Sequence, residues 1–482
     1  MTAAAELRAP ARLRHRHRKS SLFAVLAASS LGLGVLVVVL LVFSTLRSSG
    51  ELVSMRATAT AGLSLSQRAV AGDSVQAPYV GIAQVIEGSS AMAVGIADGD
   101  ALLTIGGTPV EDVHGAWRAV GSLPNDQELT RVGWVPHLEA LLGEVELEPI
   151  ADAPGKFRPR LAWLPDDSLL AAAGIRSGDV LLAVNDWPLL GSQQSWQTLV
   201  VAARQGAGPV QLRVVRDGVE QAVSAEIRRT GELTLQRDFL AAIWHFVTAL
   251  DEPRYPEHAG LSSAILGSLL VVLVTMLFAF PLAIGASVYL EEYAKRTRLT
   301  SVLQVLIANL AGIPSVVYGI IGLEVVCRTM DLGRSILAGG ITLGLLILPV
   351  MILGCREALR TVPPWVRHAA FAVGATPSQV VRHQVLPYAL PGMLTSMILA
   401  VSRAIGEAAP LILLGAFLYV NYRPQGLMDS FTVVPIQIFS WATYPQAGFE
   451  TIASVAIVVL MVILLLLNGA AIVLRNRFQL RW

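Results

Sequence analysis

Apolar residues crowd into six stretches of this chain, near 22–46, 262–290, 301–326, 335–354, 390–419 and 451–474. A helix of about 20 residues spans roughly 30 Å of hydrocarbon, so each stretch is long enough to cross a bilayer. The pattern predicts one membrane helix ahead of a long polar segment and five behind it. Between the fourth and fifth apolar stretches the spacing changes. Pro363 and Pro364 suit a helix start, Val366, Ala369, Ala370 and Val373 follow helical spacing, and Gly374 suits the closing turn. Thr376 then reads as an N-cap, with Pro377 at the first helical position and Gln379 completing a capping box; Pro387 is expected to stop this second helix. Helices of about ten residues fall below the roughly 12 to 15 needed for marginal stability alone, so the pair is expected to dock on a partner.

The polar segment between the first and second apolar stretches carries an internal repeat. SAMAVGIADGDALLTIGGTPV (90–110) aligns without gaps on LLAAAGIRSGDVLLAVNDWPL (169–189) at a constant offset of 79 residues. Ala-x-x-x-Gly-Ile closes a short helix, Gly-Asp makes a tight turn and Leu-Leu opens a strand. Each copy resembles a PDZ domain. That resemblance implies a loop that captures a peptide carboxylate while the peptide adds as a strand, and Tyr79, Val80, Gly81 and Ile82 stand at the matching place in the first copy. The second copy has RLAWL there and lacks the glycine. Spacer modules that bind nothing are the other reading.

Composition agrees with a membrane protein: 54% of residues are hydrophobic and 15% charged. A net charge of +1 implies no nucleic-acid partner. Cys327 and Cys355 sit at opposite ends of consecutive apolar stretches, so no disulfide is expected. The basic run RLRHRHRK precedes a first stretch too long for a signal peptide, which reads as an uncleaved anchor. Basic residues concentrate at the N-terminus, in the 291–298 and 355–388 loops and at the tail, which predicts cytoplasmic termini and an outer segment from about 47 to 260.

Two charges fall inside an apolar stretch. Arg403 and Glu407 are four residues apart, on one helix face, where each costs about 2.5 to 3.5 kcal/mol at mid-bilayer. A guanidinium fork suits an oxyanion, and Glu407 is placed to hold it; a structural ion pair is the alternative. In NLAGIPSVVYG, Pro314 predicts a kink, with Asn309, Ser315 and Tyr318 as polar groups at membrane depth that either line a pathway or bond to a neighbouring helix. The three lysines, Lys19, Lys156 and Lys295, form no GK[ST] loop, so the chain has no ATP-hydrolysing P-loop. None of its eight histidines makes HExxH, which removes zinc-dependent intramembrane proteolysis as a reading, and no metal site is expected.

His368, Ala369, Ala370, Gly374, Leu386 and Pro387 resemble the Glu-Ala-Ala coupling loop of ABC importer permeases, with His368 in place of the glutamate and Gln384 in place of an aliphatic residue. PLAIGASVYLEEYA (281–294), NLAGIPSVVYGIIGL (309–323), LPYALPGM (386–393) and RAIGEAAPLI (403–412) resemble the phosphate-specific permeases of the PstA family. The resemblance implies a permease subunit of the bacterial inner membrane that binds no cofactor itself. Its implied partners are two ATP-binding subunits that use the ATP, a second related permease and an extracytoplasmic phosphate-binding protein. The expected organisation is a basic N-terminus with the first membrane helix (1–46), two PDZ-like modules (75–150 and 155–230), a linker with an amphipathic segment (235–260) and a permease core with five membrane helices (261–482). A membrane-anchored peptide sensor without transport, or a protease-like regulator, is the alternative, although an anchor needs neither the buried charges nor the loop.

Overall fold

The helices Ser262–Val288 and Ile336–Arg360 form the centre of the membrane core, the first extended through a wider turn to Tyr293. The computed structural model describes residues 50–477 apart from 69–78, 125–128, 151–153, 206–207, Arg296 and Leu418. The predicted span 22–46, the basic N-terminus and the last five residues lie outside the described residues. The two central helices pack in register. Thr275 donates to the Gly340 carbonyl at 3.0 Å and Ser287 to that of Ile352 at 3.0 Å, both pairs 65 residues apart, so the helices run parallel. Glycine makes the contact close: a Cβ at Gly340 would stand 2.4 Å from Val274. Parallel neighbours require the chain to recross between them, and the segment available is Arg298–Leu310 followed by Ser315–Thr329, bent by 103° at the break.

Pro377–Gly406 and Phe449–Arg477 complete four helices long and apolar enough to cross a membrane, or five spans with the broken pair counted as one, among the described residues. Two expectations need correction. The 390–419 stretch is not one helix: it stops at Gly406, resumes as Ala409–Leu414 and ends at Gly415 in a left-handed conformation (φ +96°). Pro410 lacks the N–H that would bond the Gly406 carbonyl, and its ring crowds that carbonyl, so the helix yields four residues ahead of it. Pro387 does not stop its helix. Residues Val381–Val385 take a wider i to i+5 turn, with the Leu386 N–H on the Val381 carbonyl, and Pro387 is absorbed into the first turn of Leu386–Gly406.

The outer segment folds as two six-stranded sheets, one nested in the other. The first joins strands Leu63–Arg68, Tyr79–Val85, Ala101–Ile105 and Leu129–Val135 to the distant Arg229–Thr234, with Thr108–Pro109 on its side. The second joins Val219–Ala225, Val210–Arg216, Val180–Val184, Phe157–Trp163 and Glu144–Pro149, with Trp187–Pro188 on its side. Strand pairing therefore sets boundaries other than 75–150 and 155–230: the first unit is closed by residues on both sides of the second, and Glu144–Pro149 belongs to the second. The repeat extends beyond its aligned residues. Asp100 and Asp179 each accept a backbone N–H at 2.9 Å, from Ala97 and Arg176, and each faces a basic side chain, His137 or Arg216, again 79 residues apart.

Buried side chains place the first sheet between two bodies. On one side Leu63, Val113, Trp117 and Leu233 share a core with Leu52 and Met55 of the helix at 50–60 and with Trp441, Phe449 and Ile452 of the membrane unit. On the other, Tyr79, Ala101 and Leu103 share one with Leu161, Trp196 and Leu199 of the second sheet.

Candidate functional site

Two interrupted helices meet in the membrane core. In the first, Pro314 has no N–H for the Leu310 carbonyl, which accepts instead from the Ile313 N–H at 3.2 Å and from the Tyr318 phenol at 2.9 Å across the bend. Tyr318 is buried, Ser315 half-buried and Asn309 exposed. In the second, the break follows Gly406. The two short helices beyond the breaks touch, since a Cβ on Gly319 would stand 2.8 Å from the Cα and carbonyl oxygen of Pro410. Both interruptions lie four residues before a proline, whereas Pro281, Pro349 and Pro391 are carried inside helices.

Arg403 lies in the last turn of Leu386–Gly406, and Glu407 is the first residue off it, with extended backbone. Their contact is Nε to Oε1 at 3.5 Å, with the Arg403 side chain 50% exposed and that of Glu407 22%. The guanidinium is thus held by one edge at a helix end, not locked in a closed ion pair within a continuous span.

The polar loop is a helix, Pro364–Ala372, a turn at Gly374 (φ +86°), and the capped start of the next helix. Thr376 and Gln379 form the expected capping box, with the Thr376 N–H on the Gln379 side chain at 2.9 Å. His368, Ala369 and Pro387 are exposed, and Ala370 and Leu386 half-buried against the core. Trp365 and Phe371 of the same short helix and Val373 at its C-cap are exposed apolar side chains.

Sequence reasoning missed what fixes this loop. Glu292 accepts from Arg367 Nη2 at 2.6 Å, and Arg367 also donates to the carbonyls of Val362 and Leu359 at 2.8 and 3.2 Å. Beside it, Glu291 meets Arg356 at 2.6 Å and Arg360 at 3.1 Å. One carboxylate pair at the end of the first central helix therefore grips three arginines at the end of the second and in the loop. The signal was EEY at 291–293 beside a loop rich in arginine; those arginines read only as orientation charges.

The peptide-binding candidates are brought together but covered. Val80, Gly81 and Ile82 pair with Gln67, Ser66 and Leu65 on one edge, and Val80 and Gly81 with Leu102 and Ala101 on the other. Tyr79 is packed edge-on against Trp196 at 5.5 Å. The strand Leu63–Arg68 fills the side where an added peptide would lie, and the Gln67 side chain accepts the Val113 N–H at the start of the neighbouring helix, at 3.0 Å.

Where the outer sheet meets the membrane unit, acids are buried. Asp251 accepts from Gln437 at 2.9 Å and Trp441 at 3.0 Å, yet burial pushes its pKa up to about 6. Burial likewise pushes Glu257 up to about 7, against the pull of Arg56, which donates to the Glu257 carbonyl and is itself lowered to about 10 by burial.

A family model described as "Binding-protein-dependent transport system inner membrane component" matches residues 279–479, the part that holds both breaks and the loop. The phosphate transport system permease protein PstA of Yersinia pestis is 31% identical over 46% of this chain and 74% of its own length. PstA 1 of Mycobacterium tuberculosis is 30% identical over 44% and 70%. The PstA homolog of Mycoplasma pneumoniae is 32% identical over 42% of this chain, which spans only 32% of that longer protein. Among solved structures, the inward-facing MetNI methionine ABC transporter superposes with a TM-score of 0.39 at 19% identity, over 46% of this chain and 96% of that one. On the sequence relatives, the chain belongs to the PstA family of binding-protein-dependent permeases, the membrane subunits of ABC importers.

Proposed function

We propose that this permease carries inorganic phosphate inward at the expense of ATP hydrolysed by partner subunits, itself binding no cofactor. The observation that carries the reading is Arg403: a half-exposed guanidinium at a helix break, held through Nε by Glu407, with its planar fork left to face an oxyanion. Interrupted helices at membrane depth are a recurrent way to build an ion site, because backbone groups are freed there. The names of the relatives support phosphate in particular. In this reading Asn309, Ser315 and Tyr318 border the pathway at the first break.

The assembly we infer holds a second related permease, two ATP-binding subunits seated on the loop around Gly374, and an extracytoplasmic phosphate-binding protein. The chain crosses the inner membrane six times, residues 22–46 being the first crossing, and both termini are cytoplasmic. The outer sheets keep their PDZ-like reading, as brackets that share a core with the outer ends of the spans. A peptide reaches Tyr79–Ile82 only by displacing Leu63–Arg68, which disfavours the peptide-sensor reading. Uptake of labelled phosphate by the reconstituted complex in liposomes tests the proposal; ATP-dependent uptake that phosphate does not saturate, or that sulfate abolishes at equal concentration, contradicts it.

A further inference from the structure

The helix Phe239–Thr248 has three unlike sides. Asp238 caps it, accepting from the N–H groups of Leu240 at 2.9 Å and Ala241 at 3.2 Å. Ala242 and Phe246, one turn apart, are buried, with Phe246 against Trp441 at 5.8 Å between ring centres. Leu240 and Trp244, also one turn apart, are 77% and 71% exposed, and Phe239 beside them is exposed. A third side, with Ala241 and His245, faces a recess bounded by Arg56, Gln236 and His258.

The C-terminal end of this helix is tied to the first turn of a membrane helix. The Leu261 N–H donates to the Phe246 carbonyl at 2.8 Å, the Ser262 N–H to that of Ala249 at 3.0 Å, and Arg423 donates to that of Thr248. Gly260 lets the two segments touch, since a Cβ there would stand 2.3 Å from the Ala249 oxygen. The helix beginning at Ser262 then presents Leu266, Leu269, Leu273 and Leu277 outward at helical spacing, an exposed apolar stripe of the kind a spanning helix turns to hydrocarbon. The short helix is thereby fixed at the depth where that span enters the bilayer.

We propose that Phe239–Thr248 is an interfacial helix, with Leu240 and Trp244 inserted among lipid acyl chains and His245 toward water. Tryptophan at this depth satisfies both solvents, its ring in the apolar layer and its N–H at the headgroups. A short helix with one strongly apolar side and a polar flank lies in the interface plane, where a spanning helix of that length is too short. The hydrogen-bonded tie to the start of a membrane span that carries its own exposed leucine stripe selects lipid as the occupant.

Nitroxide labels decide the matter in the complete complex reconstituted in phosphatidylcholine and phosphatidylglycerol liposomes. In a background with Cys327→Ala and Cys355→Ala, labels are placed singly at Leu240→Cys, Trp244→Cys, Ala241→Cys and His245→Cys. Leu240 and Trp244 are exposed, so their replacement removes no packed contact. Collision with oxygen is expected to exceed collision with a water-soluble nickel chelate several-fold at 240 and 244, with the order reversed at 245. Higher nickel access at 240 and 244 means the face lies in water; low access to both means another subunit covers it. Either result overturns the proposal.

Discussion

Tyr318 gives its phenol hydrogen to the carbonyl of Leu310, 2.9 Å away, across a 103° break in the chain. The proline that opens the break and the tyrosine that bridges it are four residues apart. The bend is thus a stable feature of the membrane core. Tyr318→Phe leaves the carbonyl with the Ile313 N–H alone, at 3.2 Å, and removes one hydrogen bond, at a cost of about 0.5 to 1.5 kcal/mol. Thermal unfolding of the purified complex should fall accordingly, with Tyr318→Phe transporting at a reduced rate. Unchanged melting temperature and uptake would remove the phenol from the account.

Arg367 and Glu292 carry the second prediction. Glu292→Gln keeps the shape of the side chain but removes the charge that holds Arg367, so the Pro364–Ala372 helix should lose its fixed angle. ATP hydrolysis should then persist while uptake per ATP falls. Gly374→Val acts at the other end of the same helix. Space is open around Gly374, so the cost is the left-handed backbone alone, about 1 to 2 kcal/mol for a β-branched residue. Gly374→Asn should be tolerated far better. Equal capture of the ATP-binding subunits by the valine and asparagine variants would rule out the turn as the determinant.

How much of this was legible in the sequence depends on the range of the cause. The capping box at Thr376 and Gln379, the turn at Gly374 and the Gly-Asp turns of the repeat are local, and sequence sufficed. Pro314 marked its break, but Pro410 was read through, because prolines at 281, 349 and 391 sit inside helices and only packing decides which one interrupts. The grip of Glu291 and Glu292 on arginines 65 to 75 residues away depends on the parallel packing of two helices, which no local pattern encodes. The nesting of the second sheet was hidden for the same reason: Arg229–Thr234 pairs with Leu129–Val135 across a whole module.

That nesting gives a deletion test. Replacing 75–230 by a linker removes Trp117, which packs on Gly448 of the membrane unit, together with Val113, Val120 and Trp134 of the shared core; the chain should not assemble. Replacing 144–226 alone is expected to leave a folded but less stable permease, because Trp134 and Arg229 are already neighbours across the gap. Size-exclusion profiles from detergent extracts distinguish the two; a well-assembled 75–230 deletion would show that the outer sheet is dispensable.

The buried acids set a pH dependence. Glu257 and Asp251 titrate near 7 and 6 in the folded protein, above ordinary carboxyl values, so their protonated forms favour folding. That contribution is fully present below about pH 4 and is lost as pH rises through 6 and 7. The junction between outer sheet and membrane unit should therefore be weaker at pH 8 than at pH 5. Glu257→Gln should flatten the dependence and raise the melting temperature at pH 8. A variant that melts lower than wild type at pH 8 would mean that attraction to Arg56 outweighs burial.

Anion handling in this permease rests on Arg403. Arg403→Lys keeps the positive charge beside Glu407 but loses the planar fork, so an anion-handling role and a structural one separate cleanly. The deciding measurement is ATP-driven uptake of labelled phosphate by liposomes holding matched amounts of assembled wild-type and Arg403→Lys complex. Assembly is expected to be normal and uptake lower by on the order of tenfold, the loss of a bidentate contact to the oxyanion. Uptake near the wild-type rate in the lysine variant would contradict it and leave Arg403 a structural residue at the end of its helix.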